Sequence, residues 1–328
     1  MGLISAIRKR IANQFVAVIL DEHKCRMKQK VIKNGETIFV ETTTFEMEEK
    51  EELSQRVIAF LNEVQQKYDQ THIALLINTL GQGVLPGCGK ELFKKYNIDE
   101  NNVKSICYDD RFTVYASKID INWIVKSFDK VGLDFIFSPF LILDHFIQRE
   151  GVSEGITLYI LNLHNGFAMM IMKEKRLLYG AFFNTEKEEN LLYTDYTHLE
   201  EGSVEQIEEE MFEEFEVEEE EIEDLEPLEE EEIEETESSE ESSEEEFFLF
   251  EKDARFVKYL DTALKEFYES PIYESDFIEK AQIFDDDKLN ESVLRHIENE
   301  LLLETKIKSV NTLDAVIDLA AEEVLGAI

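Results

Sequence analysis

The alternation of apolar and polar residues along this chain predicts a meander of three short strands that occurs twice. In the second half of the chain, the three apolar runs are separated by turns at His164–Gly166 and Glu174–Lys175. Asn-Gly between two apolar runs favours a hairpin, because both residues tolerate positive φ. The expected strands of this meander are Ile156–Leu163, Phe167–Met172 and Leu177–Phe183, and those of the earlier one are Phe15–Leu20, Arg26–Ile32 and Thr37–Phe45.

Segments that alternate between helical and strand periodicity follow each meander, which predicts an α/β chain of two similar halves. Pro139 suits the first turn of a helix, Thr312 is expected to cap the last helix, and Trp123 is expected in the core. The expected helices are Leu53–Tyr68, Lys90–Tyr96, Ile121–Lys130, Pro139–Gln148, Asp253–Tyr268, Leu289–Leu301 and Thr312–Leu325. The expected strands between them are Ile73–Asn78, Phe112–Ser117, Leu133–Phe137, Asp276–Phe284 and Thr305–Val310.

An acidic tract dominates the charge of the chain. The net charge is −41 over 328 residues, but 28 of the 47 residues from Glu200 to Glu246 are acidic and none is lysine or arginine. Dense like charge with few aromatic residues predicts a disordered insertion. An alternative is an acidic-hydrophobic tether that folds on a basic partner. No basic surface dominates the chain, which argues against nucleic-acid binding through phosphate neutralisation.

The cysteines and histidines show no spacing typical of a metal site. Cys25, Cys88 and Cys107 are far apart and form no CxxC pair, so neither a disulfide framework nor structural zinc is expected. The six histidines have no ligand-like spacing either. No apolar run reaches the length of a spanning helix, and the start lacks a secretory signal. These features predict a cytoplasmic protein in a reducing compartment.

The first residues of the chain form a short amphipathic and basic pattern. A helix over 2–13 would carry an apolar stripe with basic residues beside it. Such a surface predicts contact with an anionic membrane or a partner helix, and the alternative is a surface helix packed on its own domain. The candidate contact residues are Leu3, Ile4, Ile7, Arg8, Arg10 and Ile11.

The most glycine-rich stretch of the chain runs from Leu80 to Gly89. It follows an expected strand and precedes an expected helix, which is where a phosphate cradle lies in nucleotide-binding proteins. Neither GxGxxG nor GxxxxGK[ST] spacing is present, however. A turn-rich connection into a small inserted subdomain is therefore favoured over a phosphate site.

Two halves of this kind resemble the actin/Hsp70/sugar-kinase fold, and within it the PilM-like proteins of type IV pili and their GspL-like relatives of type II secretion. The MGL start with a basic segment is similar to that family, as are FTVYASKIDINWIVKSFDKVGLDFIFSPFLIL at 112–143 and LYILNLHNGFAMMIMKEKRLLYGAFF at 158–183. The resemblance implies a duplicated, ribonuclease-H-like fold of two lobes. The implied domains are a basic segment at 1–14, a first lobe at 15–150 with a subdomain inserted at about 80–111, a second lobe at 151–199 and 247–328, and the acidic insertion at 200–246.

The turns that hold nucleotide in this fold are altered in the sequence. ATP-using members place a glycine-bearing turn after the first strand, where this chain has Leu20–Cys25 with two carboxylates and no glycine. Like charges there would repel a triphosphate. Leu161–Gly166 replaces the second-lobe turn, and Phe284–Asn290 replaces a Gly-Gly that contacts adenosine. These departures predict no catalytic residues, cofactor or metal, with the carboxylates Asp285–Asp287 pointing apart into solvent.

The resemblance implies a cytoplasmic scaffold at the inner membrane rather than an enzyme. PilM-like proteins bind the N-terminal peptide of a bitopic, PilN-like partner and form a ring under a type IV pilus, a type II secretion system or a flagellar motor that has adopted such a ring. The peptide lies between the first lobe and its subdomain, which implies contacts from Leu80, Gly81, Gln82, Gly83, Val84 and Leu85. The alternatives are an actin-like ATPase with atypical motifs, and an acidic chaperone or nucleic-acid mimic acting through residues 200–246.

Overall fold

The computed structural model describes residues 11–21, 23–47, 53–185 and 238–326, with only the backbone from 238 to 250. The strands are β1 (Asn13–Leu20), β2 (Lys24–Lys33), β3 (Glu36–Glu46), β4 (Gln70–Leu76), β5 (Gln82–Pro86), β6 (Val103–Tyr108), β7 (Phe112–Ser117), β8 (Phe135–Phe137), β9 (Ile156–Leu163), β10 (Gly166–Lys173), β11 (Arg176–Asn184), β12 (Lys280–Asp285) and β13 (Glu304–Ser309). The helices are α1 (Gln55–Lys67), α2 (Glu91–Lys95), α3 (Lys118–Ser127), α4 (Pro139–Glu150), α5 (Ser238–Glu269), α6 (Glu291–Asn299) and α7 (Thr312–Leu325), with a 3-10 turn at Glu100–Asn102. Within these ranges, every helix is too short or too polar to cross a lipid bilayer.

The duplicated meander predicted from the sequence is confirmed, and both copies have a bulge at an equivalent position. The first sheet has the strand order β3-β2-β1-β4-β8, and the second has β11-β10-β9-β12-β13. In both sheets the meander is antiparallel and the following strand pairs in parallel with the first. The outer hairpin is bulged just beyond the pair Ile32–Thr37 in one sheet and Met172–Leu177 in the other. The two sheets are therefore structural copies of one another.

The largest apolar cluster joins the two sheets through the helices α4 and α7. It contains Phe15 of β1, Phe140 of α4, Leu161 of β9 and Val316 of α7, all fully buried. The prediction that Thr312 caps α7 is wrong. Asn311 is the N-cap, because its side-chain oxygen accepts a hydrogen bond from the backbone N–H of Asp314 at 3.0 Å.

A third, three-stranded sheet has the order β5-β7-β6 and was only partly foreseen. The predicted strand Phe112–Ser117 is its centre rather than a strand of the first lobe's main sheet, so this small sheet continues beyond the expected end at 111. Gln82–Pro86, expected to be loop, is a strand. Gly83 is required there, because a Cβ atom on this residue would overlap the hydroxyl group of Tyr115 on the neighbouring strand.

Three further expectations differ from the structure. The predicted strand Asp276–Phe284 begins later, at Lys280, and the helix expected from Asp253 extends back to Ser238, inside the acidic tract. Trp123 was expected in the core but is 37% exposed. The reason is that α3 begins at Lys118, where the Ser117 side chain accepts a hydrogen bond from the backbone N–H of Ile119, and turns Ile124 rather than Trp123 inward.

The expectation that no disulfide forms is also wrong. Cys88, which follows β5, is bonded to Cys107 of β6, with their Cα atoms 5.5 Å apart. Cysteine spacing could not reveal this pair, because the thiols are brought together by β5 and β6, two strands that local periodicity does not predict. Cys25 is the remaining cysteine and is buried, and burial raises the pKa of its thiol to about 12.

We expect the Cys107→Ser variant to unfold more easily than the parent under oxidising conditions. A bridge spanning 19 residues restricts the unfolded chain enough to contribute about 3 kcal/mol. Urea denaturation should show this loss in oxidising buffer and no difference between the two proteins in excess dithiothreitol. Equal stability in oxidising buffer would contradict the prediction.

Candidate functional site between the two lobes

Three turns meet where the first and second sheets face each other. They are the turn between β1 and β2, the turn between β9 and β10, and the loop that follows β12. The backbone N–H of Asp286 donates to the carbonyl of Asn162 at 3.1 Å, which fixes the β12 loop beside β9. We call the space between these turns the interlobe cleft.

Arg26 of β2 crosses the interlobe cleft and contacts a carboxylate from each lobe. Its Nε lies 2.8 Å from Oδ2 of Asp21, and its Nη1 lies 3.4 Å from Oδ2 of Asp286. Both carboxylates are almost completely buried. A guanidinium therefore lies between two acidic groups at the centre of the cleft.

The three adjacent carboxylates after β12 hold the loop together instead of pointing into solvent, contrary to the sequence-based expectation. Asp285 accepts hydrogen bonds from the Asn162 amide at 2.8 Å and from the backbone N–H of Leu289. Asp286 accepts from the backbone N–H of Thr312 at 2.8 Å. Asp287 lies 2.9 Å from Nδ1 of His164, in the β9–β10 turn of the same lobe.

Burial and charge act in opposite directions on the groups of the cleft. Burial raises the pKa of Asp286, although hydrogen bonds from Thr312 and the charge of Arg26 oppose the change. For Arg26, burial lowers the pKa, but the attraction of Asp21 and Asp286 outweighs burial, so its pKa is raised. Burial therefore has the larger effect on the pKa of Asp286. The nearby carboxylates have the larger effect on the pKa of Arg26, which remains protonated.

Two hydrogen-bond acceptors at the cleft have no donor among the described residues. Oδ1 of Asp21 and Oδ1 of Asn162 are buried and accept no hydrogen bond from the described residues. Phosphate oxygens are acceptors as well, so these groups would face one another without a proton between them. The described residues also contain no group of three or more histidine, cysteine, aspartate and glutamate side chains arranged to hold a metal ion.

Further ion pairs connect the two lobes around the cleft. Lys28 and Lys30 of β2 reach Asp314 at 2.6 Å and Asp318 at 3.0 Å on α7. Lys308 of β13 pairs with Glu150 at the end of α4. Because alternate residues of a strand face the same side, Arg26, Lys28 and Lys30 form one basic row directed at the second half of the chain.

The small sheet is attached to the first lobe by a buried salt bridge. Nη1 and Nη2 of Arg111, in the turn before β7, lie 2.8 and 2.5 Å from Oδ1 and Oδ2 of Asp144 on α4. Asp144 is only 1% exposed. Two parallel N–H···O contacts are the geometry that arginine and carboxylate favour.

The small sheet also contacts the second lobe, through a cluster of tyrosines. Glu266 of α5 accepts hydrogen bonds from the hydroxyl groups of Tyr179 at 2.9 Å and Tyr273 at 3.0 Å. The ring of Tyr96, beside α2, lies 5.8 Å from that of Tyr273. Burial, and then the charge of Glu266, raises the pKa of Tyr179 well above its ordinary value. The small sheet thus bridges the lobes on one side of the molecule.

The six residues implied as a peptide-binding surface occupy the start of β5 and the turn before it. Leu80 and Gly81 are partly exposed, whereas Gln82, Val84 and Leu85 are buried. The Gln82 side chain donates to the carbonyls of Ile77 and Thr79 and accepts from the hydroxyl group of Ser138 at 2.8 Å. The buried members can support a groove, but only the turn at Leu80 and Gly81 offers side-chain or backbone surface to a ligand.

The other implied contact surface lies mostly outside the described residues. Leu3, Ile4, Ile7, Arg8 and Arg10 precede residue 11, and Ile11 is exposed. The prediction that this segment touches a membrane or a partner helix therefore stays a prediction.

Two family models match the sequence, one in each lobe. Residues 11–144 match the family described as "Domain of unknown function (DUF8569)", and residues 158–325 match "Domain of unknown function (DUF8341)". The two matches are separated at the junction between the first and second sheets. No curated protein matches the sequence.

Solved structures share the architecture at very low sequence identity. A structure titled "PilM-PilN type IV pilus biogenesis complex" aligns over 97% of each chain with 9% identity and a TM-score of 0.52. A Bacteroides thetaiotaomicron protein of actin-like ATPase fold and unknown function aligns over 96% of this chain and 99% of its own, with 10% identity and a TM-score of 0.48. The cytoplasmic domain of EpsL, from the type II secretion system of Vibrio cholerae, covers 58% of this chain and 79% of its own, with 11% identity and a TM-score of 0.33. The alignment with the PilM-PilN structure and the two matching sheets show that the chain has the two-lobed, actin-like α/β fold expected from its sequence.

Proposed function

The chain belongs to the family described as "Domain of unknown function (DUF8341)", and we propose that it is a cytoplasmic, non-catalytic scaffold of an envelope-spanning machine. In this proposal it binds the N-terminal cytoplasmic peptide of a bitopic, PilN-like inner-membrane protein. The machine is a type IV pilus, a type II secretion system or a flagellar motor with a related ring. The structural similarity to a PilM–PilN complex supports the choice of partner.

The single observation that carries the non-catalytic part is the ion pairing in the interlobe cleft. Arg26, Asp21 and Asp286 occupy the region where two lobes of this fold hold nucleotide, and they are joined to one another across it. A triphosphate would have to displace Arg26 from two buried carboxylates and would then meet their negative charge directly. Such a contact is repulsive at short range, most of all away from water.

The proposed peptide site is the turn at Leu80–Gly81, beside the junction of the first lobe and the small sheet. Gly81 lies against Asp120 and Ser117, at the start of α3, so closely that a Cβ atom on it would overlap both. Glycine therefore allows the turn to pack closely against the start of α3, which leaves the neighbouring Leu80 side chain as the surface of the proposed site. A carboxylate beside the turn suits a peptide that carries basic residues.

The remaining parts of the proposal concern assembly and location. We infer that the protein forms a ring or another oligomer beneath the membrane, and that residues 1–14 contact the membrane surface or a partner helix. The proposed domains are those given above, with the acidic tract at 200–246 as an insertion in the second lobe that either discourages unwanted contacts or recruits a basic protein.

Capture of membrane proteins from native, detergent-solubilised membranes tests the proposed partner. We expect the full chain to retain a single-span protein with a short cytoplasmic N terminus, and we expect deletion of that N terminus to abolish retention. Leu80→Asp should reduce retention at least tenfold, whereas Leu302→Asp, at an exposed leucine of the second lobe, should leave it unchanged. Leu80→Ala serves as a milder variant if the aspartate lowers the melting temperature.

Calorimetry with Mg-ATP distinguishes the scaffold from an actin-like ATPase. We expect no heat of binding at micromolar protein concentration. Micromolar affinity for Mg-ATP would overturn the non-catalytic part of the proposal, and retention that survives deletion of the partner's N terminus would overturn the peptide part. An acidic chaperone acting through residues 200–246 would instead lose its partners when that tract is removed.

A further inference from the structure

The outer edge of the first sheet is a long strand that no other strand of the described ranges covers. β3 has eleven residues and pairs with β2 on one side only. Ile38, Phe39 and Val40 are 54%, 41% and 51% exposed. Phe39 and Val40 lie beyond the bulge at Ile38 and face opposite sides of the sheet, so both faces of this edge carry exposed apolar side chains.

Three other strands at sheet edges are short or carry lysine, whereas β3 is long and its charged residues are all acidic. β8 has three residues, β6 contains Lys104, and β13 contains Lys306 and Lys308. Short strands, lysine and proline are the usual means by which proteins protect an edge. β3 has no lysine, arginine or proline, and its only deviation from a regular edge is the bulge next to the hairpin end.

The duplication within the chain shows what the same edge looks like when it is covered. The positions in β11 that correspond to Ile38 and Phe39, counted from the shared bulge, are Leu178 and Tyr179, and both are buried. β5 of the small sheet packs on β11, where a Cβ atom on Gly180 would overlap Val84. One copy of the edge is thus packed against a strand of the same chain, while the other copy has exposed apolar residues that no described strand covers.

We propose that the outer edge of β3 is a docking site for an extended segment of a partner protein in which apolar residues alternate with lysine or arginine. The segment adds a strand to the first sheet, so that backbone hydrogen bonds provide affinity and side chains provide specificity. This surface is distinct from the turn at Leu80–Gly81, and the proposal does not depend on the proposed function.

The charges of β3 and of the whole chain indicate which kind of partner segment binds at this edge. Glu36, Glu41 and Glu46 lie along β3, with Lys33 and Lys24 of β2 opposite Glu36 and Glu46, and the chain carries a net charge of −41, most of it from residues 200–246. Opposite charges on facing strands stabilise the pair, and like charges destabilise it. A second copy of this chain would bring the same net charge to the contact, which opposes self-association, whereas a basic segment is attracted.

Binding of a model peptide, followed by hydrogen exchange of the full chain, tests the proposal. The probe is a capped decapeptide of alternating lysine and valine, and the comparison is a decapeptide of alternating glutamate and valine. We expect the lysine peptide to slow exchange of amides within residues 36–46 and to bind at least tenfold more tightly than the glutamate peptide. Because hydrogen exchange is measured separately for each segment of the chain, it distinguishes binding at β3 from binding of the same peptide to the acidic tract.

Two variants and one control decide the outcome. Ile38→Lys with Val40→Lys should abolish protection at residues 36–46, and Glu36→Lys with Glu41→Lys, which alters only charge, should transfer that protection to the glutamate peptide. Ile307→Lys, at an exposed position of the edge strand β13, should leave both results unchanged. Absence of protection in the parent chain, protection that persists in the Ile38/Val40 variant, or concentration-dependent self-association that depends on these two residues would overturn the proposal.

Discussion

The Asp144→Ala variant is expected to lose about 3–5 kcal/mol of its free energy of unfolding. Asp144 is buried on α4, and its two carboxylate oxygens bind both terminal nitrogens of Arg111. Removing the carboxylate leaves a largely buried guanidinium with only the exposed Asp109 beside it, and the lost energy is mainly the cost of keeping that charge out of water. Urea denaturation monitored by circular dichroism measures the effect.

The matched control for this variant is Asp109→Ala. Asp109 contacts the same arginine at 3.5 Å, but its side chain is mostly exposed. Exposed ion pairs contribute about 0–1 kcal/mol, so the control should stay within that range. A loss at Asp144 no larger than the loss at Asp109 would show that the small sheet is held in place by other contacts, such as the tyrosine cluster around Glu266.

The meander and the helices were predictable from the sequence, because their apolar periodicity is local. Ile156–Leu163 and Thr312–Leu325 have the predicted bounds, and Pro139 begins α4 as expected. The duplication was predictable for the same reason, because each copy of the meander is a local pattern of three short apolar runs. Element type thus follows from residues that are near in sequence.

The small sheet could not be predicted from the sequence, because its strands depend on contacts between residues that are far apart in the chain. Gln82–Pro86 lies between glycines and looks like a loop until Tyr115 of β7 is seen against Gly83. The pairing of Cys88 with Cys107 was missed for the same reason. The glycines of this stretch indicate a flexible loop when the sequence is considered alone. In the structure, Gly83 instead allows two neighbouring strands to pack closely.

The candidate site was predictable in its chemistry but not in its connections. The loss of glycine and the gain of carboxylates in the turn after β1 are visible in the sequence. The contact of Arg26 with Asp286 joins residues 260 positions apart, and no local pattern reveals it. The expectation that Asp285–Asp287 face solvent failed because their partners, Asn162, Thr312 and His164, come from other parts of the chain.

These long-range pairs change the physical meaning of the altered turns. Without them, the interlobe cleft would merely lack groups that bind phosphate. With them, the same positions connect β1 and β2 of the first lobe to the β12 loop and α7 of the second. These residues therefore stabilise the arrangement of the lobes, and replacing one of them should affect folding before it affects any ligand.

The Arg26→Met variant is expected to lose about 3 kcal/mol or more of its free energy of unfolding at neutral pH, whereas Arg149→Met should lose about 1 kcal/mol or less. Arg26 is the cation shared by two buried carboxylates, and methionine keeps much of its apolar volume. Arg149 also pairs with a second-lobe carboxylate, Asp318 at 3.0 Å, but its side chain is mostly exposed. Thermal and urea denaturation of both variants at pH 7.5 provide the comparison.

The loss in Arg26→Met should shrink as the pH falls from 7.5 towards 5.5, and this dependence identifies its cause. Burial already raises the pKa of Asp286 in the folded parent, and removal of the cation raises it further. A carboxyl group whose pKa is higher in the folded than in the unfolded chain binds more protons when folded, so the stability that it costs at high pH is recovered as it becomes protonated. A loss independent of pH would mean that the missing packing of the arginine side chain, rather than the uncompensated charge of Asp21 and Asp286, destabilises the variant.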